Sequence, residues 1–171
     1  MLSDKMLEAI NEQINKELYS SYLYMSMAAW CDAEQLSGFA HWLKVQAQEE
    51  MAHALKFYNY VNERGGAVKM KAIEAPPTEW DSPLALAEAV LAHEQKVTGM
   101  IYALMDLAQE ERDHASISFL QWFIDEQVEE EASVSEVVGK LKMVEKTHGG
   151  LYMVDKELGG RVFNMPTGVT I

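Results

Sequence analysis

The sequence predicts an all-α protein: a four-helix bundle with a long crossover between the second and third helices, followed by a short fifth helix at the C-terminal end. Three observations support this fold. Four long segments without internal proline repeat apolar residues at helical spacing. Short linkers within each half of the bundle force antiparallel hairpins. A much longer linker, residues 65–81, joins the two hairpins.

The first hairpin is predicted to contain helices over residues 3–32 and 37–64. Ser37 is the predicted N-cap of the second helix, and Gly65-Gly66 is predicted to end it. Apolar residues at helical spacing define the predicted inward stripe of the first helix, which consists of Leu7, Ile10, Ile14, Leu18 and Met25.

The second hairpin is predicted from its capping residues. Ser82 caps the third helix and is followed by Pro83 at the first helical position, and this helix extends to about residue 111. Asp113 caps the fourth helix, which extends to about residue 147. Residues 151–158 are periodic enough for two further turns, which form the short fifth helix.

The long linker determines how the two hairpins are connected. At roughly 3.3 Å per residue it can span about 55 Å. A helix of about 27 residues is only about 40 Å long. The linker can therefore cross the whole bundle and start the third helix beside the start of the second. The alternative is an irregular surface loop between antiparallel neighbours, but long structureless loops are uncommon in compact domains.

Length and composition indicate one domain. The 171 residues, of which 49% are hydrophobic, can bury one core of ordinary size. We assign residues 1–160 to a single domain, with the bundle at 3–147 and the fifth helix at 151–158. The tail at 161–171 has no assigned role.

Charge and cysteine content limit the partners and the compartment. The 27 acidic and 14 basic residues give a net charge of −13, which repels nucleic acid and anionic membranes and favours cations. Cys31 is the single cysteine, so an intramolecular disulfide or a cysteine-rich metal cluster is excluded. The N-terminal residues do not resemble a signal peptide, and no apolar run approaches the about 20 residues of a membrane span. We therefore expect a cytoplasmic protein without nucleic-acid or membrane partners.

Metal-binding residue types occur near the middle of each long predicted helix. A dinuclear iron centre in a bundle needs hard oxygen ligands, a few imidazoles and a bridging carboxylate at one level of the core. Pairs spaced i, i+3 lie on one helical face, so both side chains can reach one metal. The candidate set comprises Glu17, the Glu-x-x-His pair Glu50 and His53, Glu94, and the i, i+3 pair Gln127 and Glu130.

The heights of these residues along their helices agree within each of two pairs, and the two pairs differ by about 6 Å, about one helical turn. Glu50 and Glu94 lie about 12 and about 11 residues past the starts of their helices, which places them within one turn of each other if those helices are parallel. Glu17 and Glu130 lie about 16 and about 17 residues before the ends of theirs. Four carboxylates at one level of a core would be very costly to bury without a cation. The pattern therefore favours a metal site over four unrelated surface residues.

The chain as a whole resembles the prokaryotic non-haem ferritins over residues 2–160. The segments that carry this resemblance are LSDKMLEAINEQINKELYSSYLYMSMAAW, VQAQEEMAHALKFYNYVNERGG, FLQWFIDEQVEEE and GLYMVDKEL. The resemblance implies an iron-storage subunit with ferroxidase activity, which oxidises Fe²⁺ with O₂ or H₂O₂ at an intrasubunit di-iron centre. It also implies a homo-oligomeric shell of twenty-four subunits that stores the ferric mineral, with the fifth helix packed around the four-fold axis.

The resemblance also implies roles for individual residues. The first iron would be held by Glu17, Glu50 and His53, with Glu50 as the bridge. The second site would be formed by Glu94 and Glu130, with Gln127 close by. A third iron site would use Glu49, Glu126 and Glu129 together with Glu130. Tyr24 and Trp122 resemble the aromatic electron donors of the family, although core aromatic residues that merely pack remain the alternative.

The sequence departs from related di-iron families in one motif. Bacterioferritins and rubrerythrins carry Glu-x-x-His on both hairpins, whereas here the second motif is Gln127-x-x-Glu130. The second iron would then have no histidine ligand, which predicts weaker binding and easier onward transfer. Met51 is a conceivable haem ligand, but haem is not expected. Two other functions stay open: a bundle that binds divalent cations without redox chemistry, and a di-iron oxygenase, which would need a sizeable core pocket.

Overall fold

The computed structural model describes residues 1–165 and residue 169. Within these residues the chain forms five α-helices and no strand, which confirms the predicted fold class. The helices are α1 (Asp4–Ala33), α2 (Ser37–Glu63), α3 (Pro83–Glu110), α4 (His114–Val144) and α5 (Gly150–Leu158). Of the predicted tail, residues 166–168, 170 and 171 lie outside the described residues. None of these helices is long and apolar enough to cross a membrane.

Three helices begin at capping side chains. Ser3, Ser82 and Asp113 accept hydrogen bonds from the backbone N–H groups three residues later, at 3.0, 3.1 and 3.2 Å. These N–H groups lack a partner within the helix, so each cap stabilises the first turn. The predicted starts of α3 and α4 are therefore confirmed.

The start of α2 differs from the prediction. Ser37 is the first helical residue rather than the N-cap, and Leu36 at the cap position makes no capping bond. The acceptor comes from α5 instead: Asp155 Oδ1 accepts from the N–H groups of Gly38 and Phe39 at 2.9 and 3.0 Å. A Cβ atom on Gly38 would lie 1.6 Å from the backbone oxygen of Asp155, so glycine allows α5 to approach this closely. A local capping rule could not identify an acceptor so distant in the sequence.

The linker between the hairpins, residues 64–82, follows α1 along most of its length. Near the start of α1, Asn11 Nδ2 donates to the Ala67 oxygen at 3.2 Å. Towards the end of α1, Ser26 Oγ donates to the Pro77 oxygen at 2.6 Å. The linker therefore brings the start of α3 to the end of the bundle at which α2 begins. This confirms the long crossover and excludes a loop between antiparallel neighbours.

The core consists of two apolar clusters, one towards each end of the bundle. One cluster is centred on side chains such as Met6, Ile10, Phe57 and Phe123. The other is centred on side chains such as Tyr24, Phe39, Trp42, Leu86 and Val134. The polar residues described below lie between them along every long helix.

The inward stripe predicted for α1 is wrong at one position. Met25 is 48% exposed, whereas Ile10 and Ile14 are buried as predicted. Leu18 is only half-buried, at the edge of the buried face. Met25 lies two turns beyond Leu18 on the same edge of the helix, and its side chain faces solvent.

Candidate metal centre

A layer of polar side chains crosses the middle of the bundle. All six predicted ligands belong to it, and each is at most 4% exposed. They are Glu17, Glu50, His53, Glu94, Gln127 and Glu130. Each long helix supplies at least one of these side chains, because its middle falls between the two apolar clusters. The structure therefore brings the predicted set to one level of the core.

Glu17, Glu50 and His53 form the most compact group. One ligand atom from each residue lies within 4.8 Å of those from the other two. Oε2 of Glu17, Oε2 of Glu50 and Nε2 of His53 are buried and have no hydrogen-bond partner among the described residues. Buried polar atoms are normally satisfied. Carboxylate and imidazole atoms that converge in this way fit a divalent transition metal.

Glu94 and Glu130 lie on the other hairpin, within electrostatic range of this group. Burial and, after it, the charge of Glu130 raise the pKa of Glu94 to about 7, despite the lowering effect of the Tyr24 and Gln127 hydrogen bonds. Burial also raises the pKa of Glu50, and among its charged neighbours Glu94 has the largest effect. Glu50 is therefore electrostatically coupled to the carboxylates of α3 and α4.

The hydrogen-bond donors to these carboxylates are neutral. Gln13 Nε2 donates to Glu17 Oε1 at 2.8 Å, and Gln46 Nε2 donates to Glu130 Oε2 at 2.9 Å. Gln127 Nε2 donates to Glu94 Oε2 at 3.3 Å. These amides orient the carboxylates without adding positive charge. Burial, followed by the charge of Glu50, therefore raises the pKa of Glu17 well above its usual range.

Both predicted aromatic donors contact predicted ligands. The Tyr24 hydroxyl is fully buried and donates to Glu94 Oε1. The Trp122 ring lies edge-to-face on the His53 ring, with centroids 5.5 Å apart. Lys56 Nζ lies 4.3 Å from the centroid of the Trp122 ring. The role of Tyr24 and Trp122 as electron donors stays a prediction.

The three residues predicted for a third iron site are less buried. Glu49 pairs with Arg161, Glu126 is half-buried and Glu129 is exposed. Burial raises the pKa of Glu49 to about 7 despite the lowering effect of Arg161. In the part of the chain that the structure describes, these three carboxylates do not converge as closely as the group around Glu50.

Sequence reasoning missed several residues around the centre. Gln13 and Gln46 each precede a predicted ligand by four positions, and Thr98 follows Glu94 by four. The i, i+4 spacing places each on the ligand's helical face, so this signal was available. Thr98 Oγ1 accepts from Gln127 Nε2 at 3.2 Å and thereby holds that amide. Arg161 carries no comparable signal, because it lies outside the periodic segments.

Comparisons with known proteins agree with this fold. A family model for the ferritin-like domain matches residues 7–144. A bacterial non-heme ferritin from Staphylococcus aureus is 43% identical over 164 residues, covering 96% of this chain and 99% of the relative. One from Staphylococcus saprophyticus is 46% identical, covering 96% and 98%.

Solved structures give the same result. An open-pore ferritin from the hyperthermophilic archaeon Archaeoglobus fulgidus is 51% identical, with a TM-score of 0.93, covering 95% of this chain and 100% of that one. A closed form of the A. fulgidus ferritin, engineered by mutagenesis, is also 51% identical, with a TM-score of 0.94 and coverage of 96% and 100%. The match to the family model and to relatives over nearly the full length shows that this chain belongs to the ferritin family.

Proposed function

We propose that the protein is an iron-storage subunit with ferroxidase activity. Fe²⁺ is oxidised at an intrasubunit di-iron centre, and the ferric product is stored inside a homo-oligomeric shell, which by resemblance contains twenty-four subunits. The observation that carries this proposal is the buried group Glu17, Glu50 and His53, in which one ligand atom of each residue lies within 4.8 Å of those of the other two and each residue has a buried atom without a hydrogen-bond partner among the described residues. Membership of the ferritin family identifies iron as the metal that these atoms would receive.

Glu50 is the proposed bridge between the two irons. It belongs to the compact group with Glu17 and His53, and its pKa responds to the charge of Glu94 on the other hairpin. The first iron would be held by Glu17, Glu50 and His53. The second would be held by Glu50, Glu94 and Glu130, with Gln127 beside it.

The proposed reaction transfers one electron from each Fe²⁺. Two electrons and two protons convert O₂ into H₂O₂, and two further electrons with two protons convert H₂O₂ into two waters. The carboxyl groups with raised pKa values hold protons in the iron-free site and release them as iron binds. Tyr24 and Trp122 are proposed electron donors, since each contacts a proposed ligand.

Iron would leave the second site more readily than the first. The second site contains carboxylates and an amide but no histidine, so it should bind Fe²⁺ more weakly. Glu49, Glu126 and Glu129, with Glu130, form the proposed third position through which iron passes onward. We further propose that residues 1–160 form a single domain and that the protein works in the cytoplasm.

Exposed apolar side chains on α5 support the proposed assembly into a shell. Tyr152 and Met153 are each 70% exposed, and Leu151 is 39% exposed. Large apolar side chains grouped on one short helix are typical of a surface that another subunit covers. Contact between α5 helices of neighbouring subunits would bury them.

An aerobic Fe²⁺ titration of the purified protein, with light scattering of the same sample, tests the proposal. We expect a mass far above one subunit and a fast rise in ferric absorbance that saturates near two Fe²⁺ per subunit. A bundle that only binds cations would take up Fe²⁺ without this rise. Oxidation no faster than in protein-free buffer would overturn the ferroxidase proposal.

A further inference from the structure

Arg161 fastens the chain beyond α5 to the face of α2 beside the metal centre. Its Nη2 lies 2.8 Å from Glu49 Oε2, and the two side chains are only 24% and 14% exposed. The Arg161 backbone oxygen also lies 2.7 Å from Nε2 of His41, which donates to it. Arg161 is therefore held at two points on α2.

The environment of this ion pair is acidic. Glu49 immediately precedes Glu50, the proposed bridge between the irons. The charge of Glu130 acts on Glu49, and Glu130 in turn belongs to the proposed second site. The Arg161 guanidinium thus supplies positive charge at the edge of a group of carboxylates that the third iron would share.

We infer that Arg161 occupies the cation position at Glu49 while the third site is empty, and that a divalent cation bound there displaces the guanidinium. This inference rests on the proposed function, which assigns Glu49 to the third site. Two cations at the same Glu49 oxygen would repel each other, so each weakens the binding of the other. The guanidinium is therefore a competitor for that ion.

The surrounding structure leaves room for the displaced side chain. A cleft of about 340 Å³ adjoins Arg161 and is lined by residues that include Trp42, Glu136, Lys140 and Glu157. The carboxylates of Glu136 and Glu157 both pair with Lys140 at this cleft. Rotation of the Arg161 side chain into the cleft would give the guanidinium new acidic partners.

Competition predicts a specific effect on affinity. The third cation must break a largely buried ion pair before it binds. Among the described residues, no lysine or arginine forms an ion pair with the proposed ligands of the first two cations. Removing the charge of Arg161 should therefore tighten binding of the third cation by about tenfold, the lower end of the range for close charge pairs, because this pair is partly exposed. Binding of the first two cations should stay unchanged.

The test is calorimetric titration of the assembled, iron-free, full-length protein with Co²⁺. Arg161→Gln is compared with wild type, with Arg161→Lys, which keeps the charge, and with Lys44→Gln as matched control. Lys44 forms an ion pair with Asp32 at 2.8 Å, away from the centre. Light scattering and circular dichroism establish that each variant is folded and assembled.

We expect the third Co²⁺ to bind more tightly to Arg161→Gln than to wild type. Its affinity should change little in Arg161→Lys and not at all in Lys44→Gln. In a Glu49→Gln background, Arg161→Gln should have no further effect on Co²⁺ binding. The inference alone would be overturned if the affinity for the third Co²⁺ were unchanged or lower in Arg161→Gln. It would also be overturned if every variant bound two Co²⁺ tightly and no third one. Absence of the first two ions from wild type would instead count against the proposed function.

Discussion

At the scale of single residues, the proposed chemistry depends on carboxyl groups that the bundle buries beside neutral donors. Glu17, Glu94 and Glu130 accept hydrogen bonds from glutamine amides. Burial raises the pKa values of the Glu17 and Glu94 carboxyls, which favours their protonated forms in the iron-free site. A divalent cation reverses this preference, because it stabilises the ionised carboxylates.

Proton release should therefore accompany metal binding and depend on pH. Glu94, with a pKa raised to about 7, is more protonated near pH 6 than near pH 8. We expect Zn²⁺ binding to release more protons near pH 6. Calorimetry in two buffers of different ionisation enthalpy measures this number. Glu94→Gln should reduce the number of protons released near pH 6. Equal proton release at both pH values in the wild-type protein would contradict a protonated Glu94 in the metal-free site.

The bridging role of Glu50 predicts unequal effects of two carboxylate substitutions. Glu50→Ala should slow the first turnover by more than about tenfold, because a bridge orders both irons. Glu129 is exposed, so Glu129→Ala should have a much smaller effect. Stopped-flow absorbance with two Fe²⁺ per subunit compares the two variants. Nearly equal rates of the two variants would show that Glu50 is not the bridging ligand.

The buried layer of candidate ligands could be predicted from the sequence because each long helix carries its candidate near the middle, and because helical spacing fixes which side chains share a face. The pairing of Gln46 with Glu130 could not be predicted, because it connects α2 to α4 and depends on how the helices pack. The same holds for Arg161, whose position depends on where the chain leaves α5. The close approach of Glu17, Glu50 and His53 required coordinates, as did the buried atom without a hydrogen-bond partner that each of them carries.

At the scale of helices, the docking of α5 on α2 connects the C-terminal region to the hairpin that carries Glu17, Glu50 and His53. Asp155 provides the cap that the sequence preceding α2 lacks. Gly38 permits the close approach of the two backbones. The beginnings of α1, α3 and α4 were easier to predict, because their capping groups lie three residues from the N–H groups that they accept from.

Removal of this distant cap should destabilise the bundle. Asp155→Ala should lower stability by about 1 kcal/mol, the usual cost of losing an N-cap side chain. The expected result is a lower midpoint of thermal unfolding at fixed protein concentration. Lys156→Ala, at an exposed neighbouring position, is the control. The same midpoint in both variants would show that the Asp155 hydrogen bonds do not stabilise α2.

At the scale of the whole molecule, assembly and chemistry should be separable. All proposed di-iron ligands come from one chain, whereas the exposed apolar residues of α5 lie away from them. The double substitution Tyr152→Ser and Met153→Ser should therefore weaken the shell and leave the first turnover of Fe²⁺ largely intact. Light scattering measures the mass, and stopped-flow absorbance measures the rate. Loss of fast oxidation in folded, dissociated subunits would indicate a site shared between subunits.

Substitution on α5 is a cleaner test than truncation. Deleting residues 149–171 should also leave the di-iron centre largely intact, because no proposed ligand lies there. The deletion would, however, remove the Asp155 cap and the Arg161 ion pair as well as the apolar surface. Its effect on the rate would therefore combine three changes.

The central claim is that each subunit holds two irons across a shared Glu50 carboxylate. Anomalous diffraction at the iron edge, from crystals loaded anaerobically with Fe²⁺, tests it most directly. We predict two peaks in every subunit, one among Glu17, Glu50 and His53 and the other beside Glu94 and Glu130, with Glu50 contacting both. Iron found only at other positions, or a single ion that Glu50 does not contact, would contradict the account.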